Sequence, residues 1–239
     1  MMVVEETHIV RKLNNFVPLQ EDDLQELAKL LSKTRKVSSH TELLQEGETN
    51  HHCYFLVEGW GCRYKLLSDG RRQIIDFPIP GDLLGYRSSL LRTRDHSFAT
   101  ITPAALAEVS ANQLTQAIAE TPRLGQALLW AVSRDEAIIV EHLVNLGRRT
   151  ALERTAHFLL ELGERLRLAG LVSDHNFSCP LTQDLLGDAL GLSSVHVNRV
   201  LRQLRERELV TFRQKELVIH DTQGLRTLAG FDSNYLDQE

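Results

Sequence analysis

Two hydrophobic periods divide the chain. Between Glu21 and Leu31, Leu24, Leu27, Ala28 and Leu31 recur at helical spacing and predict a short helix. From Val37 to about Val109 the pattern becomes short apolar runs broken by turn residues. Leu43-Leu44 precedes Gly47, and Tyr54 to Val57 ends at Gly59-Trp60-Gly61. Tyr64 to Leu67 leads through Ser68-Asp69-Gly70 into a return strand, Gln73 to Phe77. Pro80-Gly81-Asp82 and Gly85 mark a further turn, and a last strand is expected near Phe98 to Ile101. Closely spaced strands with glycine punctuation predict an antiparallel roll, with Trp60 and Tyr64 as packing residues.

From about Asn112 the helical period returns and holds almost to Gly170. Pro122 suits the first turn of a long helix. Leu124, Leu128, Val132, Ile139, Leu143 and Leu146 form one stripe on it, and Trp130, Ala137, Val140 and Val144 a second. A helix apolar on two faces needs cover on both. The roll can supply one cover and a second copy of the chain the other, the alternative being burial of both faces within one monomer. Gly147 marks a break, and Thr150 to Leu168 predicts a further helix. His142 and His157 read as polar residues at an interface or surface.

The segment Leu181 to Leu204 carries the most chemistry. Thr182 can cap a helix with Leu185, Leu186, Ala189 and Leu190 on its apolar side, and Gly191 can end it in the left-handed conformation. Ser193 caps a second helix that buries Val197, Val200, Leu201 and Leu204. Its other side presents Ser194, Val195, His196, Asn198, Arg199, Arg202 and Arg205. One bracing helix followed by one presenting short polar residues and then arginines is the layout of a helix-turn-helix, although two helices of an ordinary helical domain share the apolar pattern. Leu209 to Phe212 and Leu217 to His220, around Arg213-Gln214-Lys215-Glu216, predict a hairpin, or wing. Asp221 to Ala229 predicts a closing helix, with a frayed acidic tail beyond it.

Composition adjusts this picture in four places. A chain of 239 residues with 42% hydrophobic and 25% charged content fits two globular domains. Glu5 and Glu6 close to the start, and a longest apolar run of only Leu128 to Val132, predict neither secretory leader nor membrane span. Three scattered cysteines, Cys53, Cys62 and Cys179, fit a reduced, cytoplasmic protein. The net charge of −5 argues against a chain that coats nucleic acid indiscriminately. Between Ser193 and Lys215, however, Arg199, Arg202, Arg205, Arg207, Arg213 and Lys215 face only Glu206 and Glu208, which suits a focused DNA contact.

Several motifs in order give the chain a family likeness. They are Glu46-Gly47-Glu48, Tyr54-Phe55-Leu56-Val57-Glu58-Gly59, Asp69-Gly70-Arg71 and Pro80-Gly81-Asp82-Leu83-Leu84-Gly85 in the roll. Leu181-Thr182-Gln183, Leu190-Gly191-Leu192-Ser193 and Val197-Asn198-Arg199-Val200-Leu201 follow in the C-terminal part. With them the chain resembles the Crp/Fnr family of bacterial transcription regulators from about Phe16 to Ala229. The resemblance implies an α+β protein in three parts. Residues 1–121 would form a cyclic-nucleotide-binding-like antiparallel β-roll that receives the signal. Residues 122–147 would form a dimerisation helix, and residues 148–239 a winged helix-turn-helix. It also implies double-stranded DNA, a second copy of the chain and RNA polymerase as partners, and no membrane.

The resemblance assigns roles only where motif positions match. Thr182, Gln183, Ser193, Ser194, Val195, His196, Asn198, Arg199 and Arg202 form the expected DNA surface. Thr182, Ser193 and His196 match phosphate-holding positions, and Arg199 matches the arginine that meets guanine O6 and N7. Asn198 stands at a base-facing position where other members carry a small residue, and its amide can meet adenine. Val195 replaces a base-reading glutamate and Ser194 a neighbouring arginine, so the operator should differ from the best-known sites of the family. Valine cannot accept from a cytosine amine but can contact a thymine methyl.

On the sensor side the effector pocket is expected from Tyr86, Arg87, Ser88, Arg94, His96 and Ser97. Tyr86 stands where family members that bind cyclic AMP carry a ribose-holding glutamate. His96 replaces the phosphate-holding arginine before Ser97, and Arg94 is out of register. Losing those charge-assisted bonds argues against cyclic AMP, and no cofactor is predicted. The iron–sulfur sensing of relatives needs an N-terminal cysteine cluster, whereas the first cysteine here is Cys53. His51-His52-Cys53 contains metal-binding side chains, but neighbours on a strand point to opposite faces, so no metal site is expected. His40, His51, His52 and His96 are too scattered for a metalloenzyme barrel, and no enzyme activity is predicted. The remaining alternative is a ligand- or metal-binding roll acting through protein partners rather than DNA.

Overall fold

The computed structural model describes residues 7–49, 52–89, 93–172 and 176–236. The chain divides into two compact units: Met1–Lys65 with Asp76–Ser133, and Leu66–Ile75 with Arg134–Glu239.

The first unit opens with helices α1 (His8–Asn14) and α2 (Glu21–Leu30). Strands β1 (Thr34–Val37), β2 (Glu42–Leu44), β3 (His52–Glu58), β4 (Gly61–Leu66), β5 (Arg72–Asp76), β6 (Leu83–Leu84), β7 (Ser97–Thr100) and β8 (Ala104–Ser110) follow, then helix α3 (Ala111–Glu120), with all of β5 but its last residue in the segment that belongs to the second unit. They form two four-stranded sheets, ordered β1-β8-β3-β6 and β2-β7-β4-β5. Leu44, Leu56, Phe98 and Leu106 lie buried between them, while Phe55 on the other face of β3 packs with the helices. Two elements go beyond the expectation. Helix α1 is capped by Thr7 and tied down by a buried ion pair from Lys12 to Asp82. Strand β8 comes after the strand at Phe98 to Ile101, where the spacing predicts the last one, and it pairs with both β1 and β3. Its sequence, AALAEVS, lacks alternation because nearly every position is buried, so a period-two search passes over it.

Helix α4 (Pro122–Arg148) begins at the proline, as expected. Its two stripes need correction. Leu124, Ala127, Leu128, Ala131 and Ile138 are buried, whereas Leu129, Trp130, Val140, Leu143, Val144 and Leu146 are exposed. At ~100° per residue, Leu143 lies about 100° around the helix from Leu124, so the two cannot share a stripe.

The second unit contains α5 (Ala151–Leu168), β9 (Asn176–Ser178), α6 (Gln183–Leu190), α7 (Ser194–Glu206), β10 (Val210–Arg213), β11 (Glu216–Ile219) and α8 (Thr222–Ala229). Thr150 and Glu153 form a capping box at the start of α5. The wing is tighter than predicted: Arg213 pairs with Glu216, leaving a two-residue turn of Gln214 and Lys215, both at positive φ. A third strand, β9, which the sequence does not announce, pairs with β11.

The histidines and the tail also differ from expectation. His157 is buried, and Phe231, Tyr235 and Leu236 pack inward instead of fraying. On α5, Glu161 is fully buried; it accepts from the Tyr235 hydroxyl at 3.0 Å and from His142 Nε2 at 2.9 Å. The other ring nitrogen of His142 lies 2.9 Å from the Ile75 carbonyl oxygen. Both neighbours accept, so the ring satisfies both only when both its nitrogens carry protons. The His157 Nδ1 accepts from the Asn145 amide at 3.1 Å, which fixes the neutral ring with its proton on Nε2, facing Glu141 at 3.3 Å.

Burial holds the His157 imidazole down to about 4, against 6.5 for a free ring. Between those values the unfolded chain takes up a proton that the fold refuses. This contribution is therefore complete above about pH 6.5 and declines as pH falls toward 4. Acidifying from pH 7 to 5 should cost about 2 kcal/mol through this ring. Urea titrations of His157→Gln should show a correspondingly flatter pH profile across that window. An unchanged slope would exclude His157 as the source.

Candidate nucleic-acid interface

The helix-turn-helix is built by local rules. The Thr182 hydroxyl accepts from Leu185 N at 3.2 Å, and α6 ends at Gly191 in the left-handed conformation, with φ of 62°. Gly187 makes the turn possible, because a Cβ there would stand 2.5 Å from the Leu192 carbonyl oxygen. The Ser193 hydroxyl then accepts from His196 N at 3.2 Å and starts α7. Both cap hydroxyls keep their own proton available to donate to a phosphate oxygen. Val197, Val200, Leu201 and Leu204 are buried, as predicted.

The opposite face of α7 is open. Val195 is 80% exposed. Asn198 and Arg199 are exposed, and Ser194 and His196 are half-buried. Arg202 reaches forward to Glu206 at 2.7 Å, an exposed pair that a phosphate can displace at little cost. Val195, Asn198, Arg199 and Arg202 are thus open on α7, and Gln183 at the start of α6 meets Asn198. Two contacts in this unit escape a reading of the sequence. The Asn198 amide donates to Gln183 Oε1 at 3.3 Å. The Leu66–Ile75 segment is fastened to α6, with Arg72 donating twice to Asp188 Oδ2 (2.9 and 2.7 Å) and Gln73 to the Ala189 carbonyl (3.1 Å). Cys179 is buried and its thiol is pushed up to about 12, so it is inert at neutral pH.

In the first unit, Tyr86, Arg87, Arg94 and His96 line one small cavity with Leu44, Arg63, Gly85 and Asp95. Its charges are already matched. Arg63 grips Asp76 with two hydrogen bonds, Arg87 faces Asp95 at 3.3 Å, and Asp95 holds His96 Nδ1 at 2.8 Å. Arg94 is buried and donates to the His52 carbonyl at 3.0 Å. Gly85 makes room for it, since a Cβ there would stand 2.9 Å from the guanidinium. Burial and the nearby Arg63 lower the His96 pKa. The Ser97 hydroxyl is occupied by Glu46 N at 3.0 Å. The space left among these side chains is about 10 Å³, room for about one water. The Ser88 side chain and His51 lie outside the described residues. Cys53 is buried while His52 turns outward to Glu108, and no group that could hold a metal occurs among the described residues.

Comparison with known proteins covers both units. The cyclic nucleotide-binding domain family matches residues 34–121, and the Crp-like helix-turn-helix domain family matches residues 153–228. The nitrogen fixation regulation protein FixK of Rhizobium meliloti (strain 1021) is 32% identical over 190 residues, covering 78% of this chain and 82% of that protein. The chain belongs to the Crp/Fnr family. As a Crp/Fnr member it is a DNA-binding transcription regulator and not an enzyme. The transcriptional activator protein Anr of Pseudomonas protegens is 26% identical over 212 residues, 89% of this chain and 86% of the relative. The structure of FixK2 from Bradyrhizobium japonicum superimposes with a TM-score of 0.75 at 29% identity, over 84% of this chain and 98% of that one. The α+β architecture, a roll followed by helices and a C-terminal helix-turn-helix, is that of Crp/Fnr regulators.

Proposed function

We propose that the protein acts as a homodimer on an inverted-repeat operator, with α7 reading the major groove and the roll receiving the controlling signal. The observation that carries the dimer is the exposed face of α4. Leu129, Ser133, Glu136, Val140, Leu143 and Gly147 follow at alternating steps of four and three, flanked by Trp130 and Val144. That spacing keeps one seam facing a partner helix. Six large apolar side chains on one helix, from Leu129 to Leu146, are open to solvent in the single chain. Two recognition helices related by a two-fold axis would meet half-sites about one DNA turn apart.

Within this reading, residues 1–121 sense, 122–147 pair and 148–239 bind DNA. Thr182, Ser193 and His196 hold phosphates, Gln183 and Ser194 lie beside them on the DNA surface, Val195, Asn198 and Arg199 face bases, and Arg202 meets backbone. RNA polymerase is the partner through which promoter-bound dimers act, and the site of action is the cytoplasm. No helix among the described residues is long and apolar enough to cross a membrane. The signal acts around Tyr86, Arg87, Ser88, Arg94, His96 and Ser97. The matched charges and small space there speak for an input other than cyclic AMP.

Leu143 is 72% exposed, so Leu143→Asp costs the monomer little while placing a carboxylate in the seam. Light scattering at micromolar concentration should give dimer for the wild type and monomer for the variant, with the variant's operator affinity falling at least tenfold. A monomeric wild type that binds its operator with full affinity would end the proposal.

A further inference from the structure

We infer that Gln183 is a positioning residue for base readout: by fixing the Asn198 amide, it makes this regulator select adenine at one position of each half-site. The inference rests on the reading of α7 as the recognition helix and adds a specificity determinant outside that helix.

Gln183 is the first residue of α6, beside the cap Thr182, and Asn198 lies on the open face of α7 next to Arg199. Across the turn, Asn198 Nδ2 donates to Gln183 Oε1 at 3.3 Å. Both side chains are exposed, so the bond contributes little to folding. Its consequence is directional. A primary amide has two N–H groups, and giving one to Gln183 leaves the carbonyl oxygen and the second N–H side by side. That edge, one acceptor and one donor, complements the N6 amine and N7 of adenine in the major groove. Guanine presents two acceptors, O6 and N7, and the same edge would set oxygen against oxygen.

An unanchored asparagine can turn over about its last bond and offer an N–H to guanine O6. With its own amide nitrogen given to a phosphate, Gln183 opposes that turn, because a reversed Asn198 amide would then point its own oxygen at Gln183 Oε1. The bond also strengthens when DNA removes water from around it. The pair therefore converts a permissive amide into a selective one. The neighbouring Arg202 is engaged with Glu206.

The test uses the full-length protein and an operator selected by the wild type from a randomised inverted-repeat library. Anisotropy titrations then compare that operator with one carrying guanine in place of the Asn198-facing adenine in both half-sites. Gln183→Ala should reduce the adenine preference about fivefold per half-site. In an Asn198→Ala background the same change should leave the preference where it is. Gln183→Glu, whose carboxylate can only accept, should keep the adenine preference while lowering affinity for both operators. If Gln183→Ala weakens both operators equally, Gln183 is a phosphate contact only and the inference is overturned. A wild type that binds its operator yet shows no adenine preference opposite Asn198 overturns it too, leaving the DNA-binding reading intact. A wild type with no salt-dependent DNA binding at all removes both.

Discussion

Replacing Glu161 with leucine should destabilise the protein by about 3–5 kcal/mol, the largest loss expected from any single change away from the apolar core. The carboxylate is fully buried and accepts from His142 Nε2 and the Tyr235 hydroxyl. Burial alone would raise its pKa; His142, followed by Arg165 and His157, outweighs that and lowers it. Leucine of similar size would fill the volume and strand two donors and a buried arginine. Glu161→Gln keeps acceptor and shape without the charge, so it should cost less than leucine. Urea unfolding of the three proteins at pH 7 decides the matter. A loss under about 1 kcal/mol for leucine would mean that water replaces the carboxylate, and that the network is not as closed as its burial indicates.

Arg199→Ala should cost about 1–3 kcal/mol on the best operator and erase a guanine preference at one position in each half-site. Arg199 is exposed on α7, about one and a half turns in from Ser193 and beside Asn198, where a guanidinium can meet O6 and N7 together. Arg202→Ala, further along the same face, should instead weaken all sequences alike and reduce the salt slope by roughly one for each phosphate left unneutralised. Glu206 already shares Arg202, so the effect of removing Arg202 should be the smaller of the two. Both variants should first be verified as folded. If Arg199→Ala lowers affinity equally for every operator variant, Arg199 touches phosphate and the reading face has to be redrawn around Val195 and Asn198.

What is legible in the sequence is whatever the chain determines locally. Thr182, Gly191 and Ser193 are caps, and caps act within a few residues, so the boundaries of α6 and α7 and their buried leucines and valines follow directly. Strand β8 is hidden because burial at nearly every position erases alternation, and alanine carries no strand signal of its own. The true stripes of α4 are hard to trace because a small angular drift per turn accumulates over 27 residues. The remaining gaps are non-local. His142 gains its role from Ile75 and Glu161, His157 from Asn145 and Tyr235, and Gln183 from Asn198. Arg94, visible in the sequence only as a residue out of register, is buried against the His52 carbonyl because Gly85 leaves space for it. Spacing along a chain carries no record of such meetings.

The fastening of Leu66–Ile75 to α6 bears on how this protein can be taken apart. The unit that holds the helix-turn-helix is discontinuous in sequence, drawing ten residues from far upstream through Arg72 and Gln73. A fragment beginning after α4 would leave Asp188 without its guanidinium and Glu161 without His142. Exchanging C-terminal halves between relatives would sever the same ties, unless the donor of the new half also contributes its hairpin. Modularity here runs along contacts, and a cut made by residue number alone crosses them.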